Sequence, residues 1–171
     1  NTTAYQHGYI HSRSLDGANY PWQSYVKGML SERLSSLPEG WKIYGENMFA
    51  IHSIEYSKLD SYFYLFGAED EKENIVSYDD LLMISKLLEI PLVPIITVFD
   101  WDDSKSAKQK LSEIDLTKSA LGDIIEGYVV RNYDSFNREN YADNVAKYVR
   151  KNHVQTDIHW TKTWKKAELY R

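Results

Sequence analysis

EGYVVR, residues 126–131, opens on an acid, runs through tyrosine and valine, and closes on a base. Those central residue types are enriched in β-strands, so 126–133 reads as an amphipathic strand. VAKYV at 145–149 reads as a second one. Working back toward the start, YFYLF at 62–66 has the aromatic and aliphatic make-up of a buried strand, and 41–45 reads as a short one. Residues 2–6 and 9–14, interrupted by Gly8, read as a hairpin. Helical spacing of Trp22, Tyr25, Val26, Met29, Leu30, Leu34 and Leu37 predicts a helix over 22–37, ended by Pro38 and Gly40. Ser77 with Asp80 has capping-box form, with Asp in place of Glu, and opens a helix through Leu88 that Pro91 stops. The acidic run 68–74 reads as a surface turn. Residues 92–99 read as a buried strand that Pro94 places at an edge or bulge, 101–121 as weakly helical, and 157–169 as a terminal helix. Strands with helices interspersed, without regular alternation, predict an α+β fold with antiparallel sheet.

The 171 residues suffice for one globular domain, and 1–171 is read as one. Hydrophobic content of 43% and charged content of 26% are those of ordinary soluble protein. No apolar run nears the roughly 20 residues of a membrane span. The absence of cysteine excludes disulfides, thiolate metal sites and cysteine nucleophiles. A cytoplasmic location without membrane contact is expected; oligomeric state is left open. The net charge of −5 argues mildly against nucleic acid, yet its distribution is uneven. Residues 144–171 carry seven Lys/Arg against two acids, a local +5, and residues 1–143 carry −10. That basic end reads equally as a nucleic-acid surface or as a solvated helix.

Three segments in order, YGEN at 44–47, EGYVVR at 126–131 and KYVRKNHV at 147–154, resemble the RNA ligase branch of the covalent nucleotidyltransferases. That superfamily also holds DNA ligases and mRNA capping enzymes. YFYLF falls where the family has its adenine-stacking strand, so the resemblance spans nearly the whole chain. It implies a nucleotidyltransferase (adenylation) domain with antiparallel sheets and flanking helices around a nucleotide cleft. It also implies ATP and Mg²⁺ (or Mn²⁺) as cofactors, and RNA 5′-phosphate and 3′-hydroxyl ends as partners, in ligation of the kind RNA repair uses. In the family a lysine takes AMP from ATP, passes it to a 5′-phosphate, and a 3′-hydroxyl displaces it. The related readings are a DNA ligase, a capping-type enzyme, or a non-catalytic module that binds nucleotide or nucleic acid.

The resemblance also assigns residues. Asn1-Thr2-Thr3-Ala4-Tyr5 is similar to the asparagine of K-x-D-G-x-N and the strand after it, which places Asn1 among the catalytic residues and the lysine a few positions before it. The chain is therefore expected not to form lysyl–AMP by itself. SLDG at 14–17 imitates the motif with serine for lysine, but follows the first hairpin and is set aside. Arg13 matches an arginine that meets phosphate, for which a guanidinium fork is suited. Glu46 matches a glutamate on the ribose or near the metal. Phe63 matches the adenine-stacking ring. Glu126 matches the carboxylate that helps bind the catalytic divalent metal, an oxygen donor such a hard cation prefers; its plainer reading is a solvated strand-edge acid. Arg131 falls where the family directs a cation to phosphate. Lys147 matches the lysine on the ATP α-phosphate. The family's second lysine of K-x-K is Val149 here, so Lys151, on the same strand face, is the expected substitute, while Arg150 points away.

Two other arrangements are set aside. His153, Asp157 and His159 have spacing that a zinc ion could use, but three donors without cysteine make a thin site. Trp160 and Trp164, four apart, read as the buried stripe of the last helix. Without a P-loop or a G-x-G-x-x-G run, any ATP site must use side-chain cations.

Overall fold

The computed structural model describes residues 1–12, 20–52, 54–101, 103–122, 124–151, 162 and 164–170. Its fold is α+β: a six-stranded sheet with helices against it and a separate two-stranded sheet. The larger sheet is built from β1 (Thr2–Tyr5), β2 (Ile10–His11), β3 (Lys42–Asn47), β4 (Phe63–Glu69) and β5 (Asn74–Ile75), with Phe136–Asn137 as its last strand. In space the order is β2-β1-β3-β4-β5 and then 136–137, each neighbouring pair antiparallel. The hairpin, the 41–45 strand and the aromatic strand are thus where the sequence puts them, with β4 running further.

One helix covers this sheet from Pro21–Ser31 (α1) and another from Tyr78–Leu88 (α2). Proline at the first helical turn starts α1 with φ already set. It stops six residues earlier than its apolar spacing predicts. The Ser31 hydroxyl donates to the Gly28 carbonyl, and the Arg33 guanidinium to that of Met29 at 2.9 Å. Those bonds occupy carbonyls near the end of the helix, and the chain tightens into a 3₁₀ turn at Leu34–Ser36. In α2 the Ser77 hydroxyl accepts from the Asp80 amide at 3.1 Å and donates to its carboxylate at 2.7 Å. The cap holds; its reciprocal arm runs through the hydroxyl, not the Ser77 amide. Val26, Leu30 and Leu34 join Leu81, Ile84 and Leu88 over Ala4, Ile43, Phe63, Leu65 and Ala68 to make the core.

Three expectations are corrected. Residues 92–99 form no buried strand. Leu92 bridges Leu65 in parallel, with the Val93 amide donating to the Leu65 carbonyl at 2.9 Å, and pairing ends where Pro94 lacks an N–H. Beyond it Ile95, Ile96 and Val98 are exposed. In the acidic run 68–74, Ala68 and Glu69 belong to β4 and are fully buried, because Glu69 has cations and a hydroxyl to pair with. The turn starts at Asp70, whose carboxylate accepts the Lys72 and Asn74 amides.

Of the terminal helix expected over 157–169, the described residues 164–169 are not helical, nor is Tyr170 after them. The backbone of this segment exchanges bonds with 49–51: the Ile51 amide donates to the Lys165 carbonyl, and the Ala167 amide to that of Phe49. The Tyr170 amide reaches the Leu59 carbonyl, and the Tyr62 hydroxyl caps the Ala167 carbonyl. Trp164 consequently lies on Trp22 and Phe49, outside any helical stripe. Trp160 lies outside the described residues. Residues 104–112 form a further helix, α3, capped by the Asp103 carboxylate. Among the described residues no helix is long and apolar enough to cross a membrane.

The second sheet pairs β6 (Gly127–Arg131) with Val145–Val149, here β7. These are the two strands with which the sequence reading began.

Candidate functional site

Register decides which side chains of β3 and β4 share a face. Lys42 pairs with Glu69 and Tyr44 with Gly67, and on the other side Thr3 pairs with Tyr44 and Tyr5 with Lys42, so these residues stand on one face. Ile43 and Ala68 point to the core. A bulge between Tyr44 and Gly45 accommodates one extra residue of β4 and keeps Phe66 against the Tyr44 ring, 6.4 Å between centroids and near parallel.

Phe63 takes the other side. It is fully buried, and its ring lies over Gly45 so closely that a Cβ there would come within 2.2 Å of Phe63 Cζ. The expectation that Phe63 stacks on a base is therefore corrected: strand alternation turns it into the core, and Phe66, partly exposed, is the ring of β4 on the Tyr44 face.

Glu46 is half-exposed at the end of β3. With its amide turned so that the nitrogen donates, Asn1 reaches both Glu46 carboxylate oxygens, one of them at 3.0 Å. Two expected site residues thus meet directly. Tyr56, in the connection between β3 and β4, is a residue the sequence reading did not single out, and the charges of both Glu126 and Glu46 act on its hydroxyl. Burial first, then the Glu126 carboxylate, raises the Tyr56 hydroxyl above its ordinary range, with Glu46 adding to the same direction and Arg150 opposing it. The hydroxyl stays protonated at neutral pH.

Arg150 is the second residue missed. Alternation along a strand sets it on the far side from Lys147, yet the strand ends at Val149 and the alternation with it. Its backbone N–H donates to the Glu126 carbonyl and its Nε to the Ile125 carbonyl, both at 3.0 Å. No motif pointed to Tyr56; only the charges of the two acids acting on its hydroxyl do.

The remaining expected residues are placed differently. Lys147 is exposed in the middle of β7 opposite Val129, and Lys151 is exposed just past Arg150. Arg131 shares the Lys147 face by register but turns to the large sheet. It donates to the Val76 carbonyl at 2.6 Å and more weakly to that of Phe66, and its guanidinium lies over the Phe136 ring. A half-buried guanidinium must find acceptors, and these carbonyls tie β6 to the large sheet beside the end of β5. Arg13, SLDG at 14–17 and the His153–Asp157–His159 set lie outside the described residues.

Among the described residues no group of three or more His, Asp or Glu side chains could hold a metal by itself. Mg²⁺ is nonetheless commonly held by one or two protein carboxylates, with waters and substrate phosphates completing its octahedron. Glu46 and Glu126 are each a carboxylate of that kind, and neither is sealed in the core.

No curated protein and no solved structure matches the chain. The RNA ligase family model does match it, over residues 1–149, which takes in β1 through β7 and every candidate site residue placed in this section except Arg150 and Lys151. With YGEN, EGYVVR and the strand bearing Lys147 all inside that match, the chain belongs to the RNA ligase family.

Proposed function

We propose that these residues form the nucleotide-binding part of an ATP-dependent RNA ligase, the domain that handles adenylate as 5′-phosphate and 3′-hydroxyl RNA ends are joined. The observation that carries this reading is the contact of Asn1 with Glu46 at the end of β3, with the segments that bear Glu46, Glu126 and Lys147 all inside the family match. In this reading Glu126, with Glu46, would hold Mg²⁺, which supplies charge neutralisation between phosphate oxygens. Glu46 also faces the ribose, where a carboxylate can accept from both hydroxyls. Lys147 and Lys151, exposed and unburied by any partner strand, supply cations to the phosphates. Phe66 in place of Phe63 offers a face to adenine.

Isothermal titration with ATP and Mg²⁺ tests the assignment, using GTP as the comparison for a capping-type enzyme. Lys147→Ala should weaken ATP binding by about 10- to 100-fold, the loss of a charge-assisted hydrogen bond of about 1.5–3 kcal/mol. Equal binding by the variant and its parent would remove Lys147 from the phosphate site. Tighter binding of GTP than of ATP would move the reading to a capping-type enzyme.

The exchange of aromatic roles has its own test. Phe66→Ala should cost about 1–3 kcal/mol of ATP binding, by analogy with stacking on nucleic-acid bases. Phe63→Leu should leave affinity unchanged and lower the melting temperature instead, since it trims a buried ring. The reverse pattern would restore the base to Phe63.

A further inference from the structure

A set of aromatic rings gathers where the segment 164–170 lies against the start of α1. Tyr20, at the N-cap of α1, stacks on Trp22 with 4.8 Å between centroids and planes 5° apart. Trp22 meets Trp164 edge-on at 5.7 Å, and Trp164 lies 6.2 Å from Phe49. One turn further along α1, Tyr25 stacks on Phe49 at 5.3 Å and stands edge-on to Tyr62 at 5.2 Å. The Lys166 ammonium lies over both the Phe49 and the Tyr62 rings, 5.6 and 5.5 Å from their centroids.

Packing accounts for only part of this cluster. Tyr62 is buried and Phe49 and Trp164 are partly covered, so these rings seat the segment. Tyr20 and Tyr25 instead keep 50% and 52% of their surface exposed, and Lys162, Lys165 and Lys166 are exposed as well. Residues 162–170 hold those three lysines against the single acid Glu168, on a chain whose net charge is −5. The basic end, which the sequence read equally as a nucleic-acid surface or a solvated helix, thus carries its cations beside rings and not on a helix. A polyanion with planar bases uses both features, stacking on the rings and releasing counterions at the lysines. Asn47 joins this patch to the candidate site. Its Nδ2 donates to the Trp22 carbonyl at 2.9 Å, its Oδ1 accepts the Phe49 amide at 3.0 Å, and it follows Glu46 in YGEN. Trp164, Lys165 and Lys166 lie beyond residue 149, where the family match ends.

We infer that this patch binds single-stranded RNA beside the nucleotide site, with bases stacked on Tyr20 and Tyr25 and with Lys166 and its neighbouring lysines meeting the phosphates. The inference rests on the proposed function for its choice of partner, since the ends joined there are RNA. A base stacked on an aromatic side chain typically accounts for about 5- to 150-fold in affinity. Each phosphate neutralised on a single strand adds about 0.7 to the slope of log affinity against log salt.

The test follows the fluorescence anisotropy of a fluorescein-labelled single-stranded RNA over a series of salt concentrations. It compares the parent with Tyr20→Ala, Tyr25→Ala, Tyr25→Trp, Lys166→Gln and Lys108→Gln, with titration of ATP and Mg²⁺ and thermal melting of each protein in parallel. Tyr20→Ala and Tyr25→Ala should each lose about 5- to 150-fold in RNA affinity while keeping the parent's affinity for ATP, and Tyr25→Trp should restore RNA binding. Lys166→Gln should flatten the salt slope by about 0.7, whereas Lys108→Gln, an equal change of charge at an exposed position of α3, should not. Parental RNA affinity in both alanine variants overturns the inference. So does an equal loss of slope in Lys108→Gln, which would leave only net charge to attract the RNA. Equal losses of RNA and ATP binding in Tyr25→Ala, with early melting and no rescue by Tyr25→Trp, would assign that ring to packing and overturn it too. A parent that binds ATP but no RNA overturns the inference and leaves the nucleotide reading standing. One that binds RNA through these rings but no ATP sinks the proposed function and leaves the patch as an RNA site.

Discussion

Glu69→Ala is expected to cost about 3–5 kcal/mol of folding stability, measured as the loss of unfolding free energy in urea. The Glu69 side chain is 1% exposed and carries the Lys42 ammonium at 2.7 Å and the Arg138 guanidinium at 3.1 Å. The Tyr44 hydroxyl donates to its other oxygen. Burial, and then that bond to a carboxylate, push the Tyr44 hydroxyl well above its ordinary range, so it remains the donor. Removing the acid leaves Lys42, only 13% exposed, with an uncompensated charge, and leaves Tyr44 without an acceptor. Arg138 is 44% exposed and can turn to water and to Glu73, so the cost falls mainly on Lys42. Glu69→Gln separates the parts. It keeps an acceptor for Tyr44 and the side-chain volume, and its cost measures the charge pairing alone. A loss below about 1 kcal/mol for Glu69→Ala, the level of a surface pair, would mean that the cluster is hydrated and does not brace the strand that bears YGEN.

Glu69 also marks the limit of what could be read along the chain. Periodicity located the hairpin, both covering helices and the β6–β7 pair, because one buried face repeats every two or 3.6 residues whatever the partner. A buried acid breaks that rule. Nothing in GAEDE says that its first carboxylate is paired with Lys42 on one strand and Arg138 from far downstream, so the acidic run reads as a turn. The apolar run from Ile95 to Val98 fails in the opposite direction. Its composition is that of a core strand, but Pro94 ends the pairing with β4 and the run lies exposed. At the candidate site, motif order singled out Asn1 and Glu46, which the fold brings together, and Glu126, which stands at the entry to β6. It could not say which ring of YFYLF faces outward, since one residue of register exchanges the two faces. Arg150 was illegible for a related reason: it acts on the backbone of Glu126, and such a contact leaves no pattern in side-chain type.

The second large effect belongs to Gly127→Ala. Gly127 has no unusual φ, so the demand for glycine is one of space alone. It faces Val149 in the β6–β7 register, and a Cβ would stand 2.0 Å from the Tyr148 carbonyl oxygen and 2.9 Å from Val149 Cα. Both are main-chain atoms and cannot rotate away, so the strands themselves must separate at the end where Glu126 enters. The expected cost is about 3 kcal/mol, the upper part of the range for overpacking, localised to this sheet. Amide hydrogen exchange should accelerate across 127–131 and 145–150 while the β3–β4 pair keeps its protection. Mg²⁺-dependent ATP binding should fall by more than about 10-fold, because the bond from Arg150 to the Glu126 carbonyl lies one residue from the clash. Uniform acceleration over both sheets would show that the two unfold as one unit. Unchanged exchange with unchanged binding would show that β6 and β7 are spaced more widely than this register requires, and the part given to Glu126 in the nucleotide site would have to be abandoned with it.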